Sequence, residues 1–182
     1  MEMNLPNKLT ILRVIMIPFF VFFMLVDVAG VYTKYIALAL FCIASLTDLL
    51  DGKIARKHNL VTNFGKFMDP LADKLLVCAA MICLVEMDRI ESWVVIIIMS
   101  REFIISGFRL IASDNGIVIA ASMWGKVKTV IQMTMIIVLI LHVDHVVFQY
   151  LEVILIAAAT ILTVVSLIEY IAKNIDVLKE TK

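Results

Sequence analysis

Net charge is the first thing this sequence lacks. Its 182 residues balance 16 Lys and Arg against 16 Asp and Glu. No global field draws it to nucleic acid, and none is expected as a partner. A CxxC pair is also missing. Cys42, Cys78 and Cys83 all fall within apolar runs and read as small, reduced packing residues. The first eight residues have no strongly basic start, and no A-x-A-like site follows the first apolar run. That run is therefore expected to be retained rather than cleaved. Internal repeats, low-complexity tracts and a second domain are absent too, so residues 1–182 are expected to form one membrane domain.

What the chain has in excess is apolar surface. Hydrophobic residues make up 63% of it, at a mean hydropathy of +1.03. Soluble domains carry roughly 45–50%, and a core this size cannot hide the surplus. A spanning helix needs about 20 mostly apolar residues. Six runs qualify, near 9–28, 32–56, 65–87, 92–113, 121–143 and 146–173. The expected fold is all-α and polytopic: six transmembrane helices behind a short interfacial segment at residues 4–10, with Pro6 suited to a helix start. With six spans, only Lys34 and Arg89 among the 16 basic residues fall on the side opposite the termini. Both termini are therefore expected on the cytoplasmic side.

Acidic residues are costly inside a bilayer, and here they cluster. Asp48 and Asp51 lie three apart near the cytoplasmic end of the second helix. Asp69 and Asp73 lie four apart at the start of the third, and each pair shares a helix face. Four carboxylates brought together repel one another unless cations neutralise them. Two hard divalent ions with oxygen ligands would do so, and such a pair suits in-line displacement at phosphorus. The bland alternative pairs these aspartates with Lys53, Arg56, Lys66 and Lys74. It explains one pair better than two, and it does not explain the glycines between them. Gly52 and Gly65 open the backbone to a ligand, Ala55 keeps its face small, and Arg56 offers a fork for phosphate oxygens.

Read together, the segment is Asp48-x2-Asp51-Gly52-x2-Ala55-Arg56-x8-Gly65-x3-Asp69-x3-Asp73. It resembles, without mismatch, the signature of the CDP-alcohol phosphotransferase family, and the six-helix layout extends the resemblance over the whole chain. The resemblance implies that Asp48, Asp51 and Asp69 bind one Mg²⁺ or Mn²⁺ ion, and that Asp48, Asp69 and Asp73 bind a second. It implies that Asp73 is the general base on the acceptor hydroxyl. Gly52, Ala55, Arg56 and Gly65 would hold the CDP moiety. Asn7-x2-Thr10-x2-Arg13 is similar to the family's nucleotide-side element, and family members are usually homodimers.

The acceptor is a separate question. Arg101, Arg109, Lys126 and Lys128 lie toward the cytoplasmic half of the fourth and fifth helices, where a positive pocket suits an acceptor already bearing phosphate. Snorkelling to the headgroups is the plain alternative. Arg101-Glu102 leading to Arg109, then Trp124-Gly125-Lys126-Val127-Lys128-Thr129 and Gln132, resembles the bacterial branch of the family that accepts sn-glycerol 3-phosphate. That likeness implies CDP-diacylglycerol as donor, CMP as leaving product, and a place in the bacterial cytoplasmic membrane. Glu102 could orient one of the arginines. Inositol phosphate, serine or phosphatidylglycerol as acceptor remain alternatives, as do a small ion-coupled carrier and an inactive membrane subunit. His142-x2-His145 with Asp144 has a metal-like spacing but falls in a short outer loop.

Overall fold

The computed structural model describes residues 5–57, 63–114, 119–120 and 122–175. Over these the chain is entirely helical. The six long helices are α1 (Leu5–Leu25), α2 (Thr33–Lys57), α3 (Asn63–Glu86), α4 (Ser92–Asp114), α5 (Met123–Leu141) and α6 (Val146–Asn174). They match the six apolar runs to within a few residues. The segment expected to precede the first span is continuous with it, because α1 already begins at Leu5 and takes Pro6 into its first turn.

Four stretches are long and apolar enough to cross a bilayer: Asn7–Leu25, Gly30–Thr47, Met123–Leu141 and Val146–Asn174. The protein is a multi-pass membrane protein. α3 and α4 fall short because charge interrupts them, Asp69, Asp73 and Lys74 in one and Arg101, Glu102 and Arg109 in the other. Asp69, Asp73, Arg101 and Arg109 among them are residues expected to carry chemistry. Large apolar residues cover much of the outward faces: Leu12, Ile15, Phe19 and Phe22 on α1, and Val153, Ile154, Ile161 and Ile168 on α6, are exposed. Apolar surface on this scale fits lipid rather than water.

The chain packs as two compact units, Met1–Asp88 and Arg89–Lys182. In the first, α1 packs along both α2 and α3. Its inner stripe runs Asn7, Thr10, Arg13, Ile17, Phe20, Met24, one residue every three or four. Opposite it on α2 lie Thr33, Ala37, Phe41 and Ala44, whose small alanines let the backbones approach. Phe20 and Phe41 meet with ring centroids 5.8 Å apart. On α3 the stripe is Ala72, Leu76, Ala80, Leu84. Between α1 and α2 the chain turns tightly. The Thr33 hydroxyl donates to Asp27 Oδ1 at 3.0 Å and accepts from the Ala29 amide at 2.9 Å. Gly30 supplies the left-handed backbone, φ +58°, that the turn requires. Packed on each other and joined so closely, α1 and α2 form an antiparallel hairpin.

In the second unit α6 packs on both α4 and α5. One end is latched by Arg89, whose Nη1 donates to the carbonyls of Leu139 at 2.9 Å and Ile140 at 3.3 Å in the last turn of α5. Burial draws the Arg89 guanidinium below the ordinary arginine range, while Glu152 and Asp144 pull it back up. His142 closes α5 in the left-handed region, φ 36°, with its Nδ1 3.3 Å from Glu152 Oε1 on α6. The histidines that had metal-like spacing thus serve as helix caps, His145 accepting from the Val147 amide at the start of α6. Arg89→Ala leaves two carbonyls of α5 without their charged donor. A loss of about 1–3 kcal/mol is expected, read as a lower midpoint in thermal unfolding of the detergent-solubilised protein.

Candidate active site

The first unit places the motif by helix register. Along the unbroken backbone of α2, the buried stripe at 37, 41 and 44 continues in step to positions 48, 51 and 55, which are Asp48, Asp51 and Ala55. Followed backward along α3, the stripe at 80, 76 and 72 reaches 69 and 65, which are Asp69 and Gly65. Asp73 stands beside this stripe and is half-buried, engaged in an interaction with a neighbour. The side chains of Asp48, Asp51, Gly52, Ala55, Arg56, Gly65 and Asp69 lie outside the described residues, as do the lysines that the bland reading would pair with them at positions 53 and 66.

The inner face of α1 changes character at the same end of the unit. Because α1 runs antiparallel to α2, its N-terminal part lies toward the end of α2 that carries the aspartates. There the stripe turns from apolar to polar. Asn7 is 7% exposed, and Thr10 and Arg13 are fully buried. A fully buried guanidinium is costly unless other groups compensate it, and each of the three takes part in polar contacts. Asn7 and Thr10, expected on the nucleotide side, therefore lie toward the same end of this helical unit as the aspartate positions in the sequence of α2. Among the described residues no group of His, Cys, Asp or Glu forms a metal site, but three of the four motif aspartates are outside that set. A donor set of four carboxylates is of the chemistry that suits hard divalent ions.

In the second unit, two of the four basic residues expected to bind phosphate come together. Arg101 on α4 and Lys128 on α5 both donate to Glu102 Oε1, the arginine through Nη1 at 3.0 Å. Lys128 has no exposed surface at all, and Arg101 is 7% exposed. Arg109 and Lys126 are exposed and take no part in this cluster. These long side chains join α4 to α5. A third helix contributes Ser166, whose hydroxyl accepts from Arg101 Nε at 3.2 Å and donates to the Thr163 carbonyl at 3.1 Å.

The first turn of α5 explains its sequence. Ser122 caps it, accepting from the Gly125 amide at 3.1 Å. A Cβ on Gly125 would stand 3.1 Å from Arg101 Nη2, so the glycine is the space in which the guanidinium lies. Gly125→Ala is expected to raise the acceptor KM severalfold with little change in thermal midpoint, since the far end of a side chain is what must move. Kinetics and melting on the same preparation check it. Ser166 had no local signal, being one serine in an apolar helix. Only its place on the buried face with Ala159, Thr163 and Tyr170 sets it apart.

The family model described as CDP-alcohol phosphatidyltransferase matches residues 3–165. A Bacillus subtilis protein named CDP-diacylglycerol–glycerol-3-phosphate 3-phosphatidyltransferase is 47% identical over 189 residues, covering 97% of both chains. Proteins of the same name from Haemophilus influenzae and Shigella flexneri serotype 5b are 41% and 37% identical. They cover 94% of this chain and 93% and 95% of their own. The match runs through both helical units, from the buried polar end of α1 past the aspartates to α6. The chain belongs to the CDP-alcohol phosphatidyltransferase family.

Proposed function

We propose that this protein transfers the phosphatidyl group of CDP-diacylglycerol to sn-glycerol 3-phosphate, giving phosphatidylglycerophosphate and CMP. The observation that carries this reading is the near end-to-end similarity to relatives named for that transfer. The acceptor's free hydroxyl attacks the β-phosphorus, a new P–O bond forms, and the bond from that phosphorus to the CMP oxygen breaks. The hydroxyl proton passes to Asp73, and CMP leaves with the bonding pair.

Members of this family generally depend on divalent metal. Here Asp48, Asp51 and Asp69 would hold one Mg²⁺ or Mn²⁺ ion, and Asp48, Asp69 and Asp73 the other. The ions would supply charge neutralisation at the reacting phosphate. Gly52, Ala55, Arg56 and Gly65, with Asn7 and Thr10, hold the CDP moiety. Buried Arg101 and Lys128 bind the acceptor's phosphate, and exposed Arg109 and Lys126 add positive charge that draws anions in.

α3 and α4 are assigned as spans alongside the four apolar helices, with both termini and the aspartates on the cytoplasmic side of a bacterial inner membrane. Two features support this. The basic residues are distributed for it, and Arg101, Glu102 and Lys128 compensate one another, which lowers the cost of carrying α4 into the bilayer. The residues form one functional domain, acting as a homodimer, as the family resemblance implies.

The test is CMP release by purified protein with CDP-diacylglycerol, Mg²⁺ and one acceptor at a time. Release with glycerol 3-phosphate, lost on adding EDTA, is the expected result. Release only with inositol phosphate, serine or phosphatidylglycerol would keep the family and overturn the acceptor. A carrier or inactive subunit would release no CMP with any of them.

A further inference from the structure

A single carboxylate oxygen in the second unit serves two cations. Glu102 Oε1 accepts from its neighbour Arg101 and from Lys128, which lies 26 residues away on another helix. The Lys128 side chain is wholly buried, and that of Arg101 is 9% exposed, whereas that of Glu102 retains 23%. A buried lysine needs a partner for its ammonium group. Glu102 supplies one, and its single oxygen holds Lys128 of α5 and Arg101 of α4 together. Two cationic side chains are thereby gathered at one carboxylate oxygen, and paired cations of this kind suit a phosphate.

Arg101 is fixed from three sides. Nη1 is committed to Glu102, Nε to Ser166 on α6, and Nη2 lies in the space left by Gly125. Nη2 donates to nothing else among the described residues. A guanidinium already held at two of its three nitrogens has less side-chain freedom to lose on meeting a phosphate.

We propose that Glu102 is a positioning residue for the acceptor. By holding Arg101 and Lys128 in one fixed arrangement, with Ser166 as second tether, it presets the pair that receives the acceptor's phosphate. This rests on the glycerol 3-phosphate reading above and deepens it. Glu102 touches no reacting atom in this arrangement, so its loss weakens acceptor binding more than it slows the chemistry.

The experiment is steady-state CMP release by the full chain in lipid–detergent micelles, varying each substrate at saturation of the other. With Glu102→Gln, the KM for glycerol 3-phosphate is expected to rise about tenfold or more, from the loss of a charge-assisted contact. The KM for CDP-diacylglycerol and kcat should stay within about threefold. Glu102→Asp, which keeps the charge on a shorter arm, should recover part of the loss. A correctly folded Glu102→Gln protein with unchanged acceptor KM overturns the proposal, and so does a fall in kcat at unchanged KM. If Glu102→Gln does not fold, Ser166→Ala removes one tether without changing charge. It should raise the acceptor KM roughly threefold, and no change in KM overturns the proposal. Failure of the parent reading is visible separately, as wild-type protein that releases no CMP with glycerol 3-phosphate.

Discussion

Changing Asp73 to asparagine is expected to cut CMP release by about a thousandfold while the protein still elutes as the folded species. Two contributions are lost together. A general base positioned on the attacking hydroxyl is worth roughly 10²–10⁴ in rate, and a carboxylate that also binds a metal loses charge just where the ions need it. The position favours a clean result. Asp73 lies on α3 beside the stripe of Ala72, Leu76 and Ala80 rather than within it, and it is half-buried. Asparagine preserves its volume, so the helix packing around it need not shift. Extra Mg²⁺ should not restore the rate, whereas EDTA-treated wild-type protein should recover fully when Mg²⁺ or Mn²⁺ is returned. Retention of more than about a tenth of wild-type activity would remove Asp73 from the role of base.

Lys128→Met should act on the other substrate. The KM for glycerol 3-phosphate is expected to rise about 10- to 100-fold, the loss of one charge-assisted hydrogen bond of about 1.5–3 kcal/mol. The KM for CDP-diacylglycerol should not move. Methionine fills most of the buried space that the lysine stem occupies, and Glu102 keeps Arg101 as its partner at 3.0 Å. The expected penalty therefore falls on binding rather than on folding. If Lys128 were only snorkelling or filling space, the variant would bind the acceptor as well as wild type. Its lack of any exposed surface already argues against snorkelling, which needs the ammonium at a surface.

Much of this could be read along the chain, because the membrane imposes its rules locally. A bilayer demands long apolar helices, so six of them and their boundaries were visible from hydropathy alone. Carboxylates in such helices are too costly to be incidental, which makes Asp48, Asp51, Asp69 and Asp73 conspicuous among their apolar neighbours. Their spacing of three and four residues is a property of one helix, and needs no knowledge of its neighbours. Gly125 could be seen within its motif, but not what it makes room for.

Tertiary structure decided matters that depend on which faces meet. Along the chain Arg101, Arg109, Lys126 and Lys128 were all expected at the acceptor's phosphate; folding buries Arg101 and Lys128 against Glu102 and leaves Arg109 and Lys126 outside. The buried polar end of α1 is similar, since Asn7, Thr10 and Arg13 are buried together only where α1 packs along α2 and α3. Ser166 joined the cluster through a contact 65 residues distant in the chain. By itself the sequence determined the class of fold, the family motif and the helices that carry it. Hydrophobic length and helical period are written into consecutive residues. Which cations act together was settled by packing, because an ion pair between helices depends on distances that no local pattern encodes.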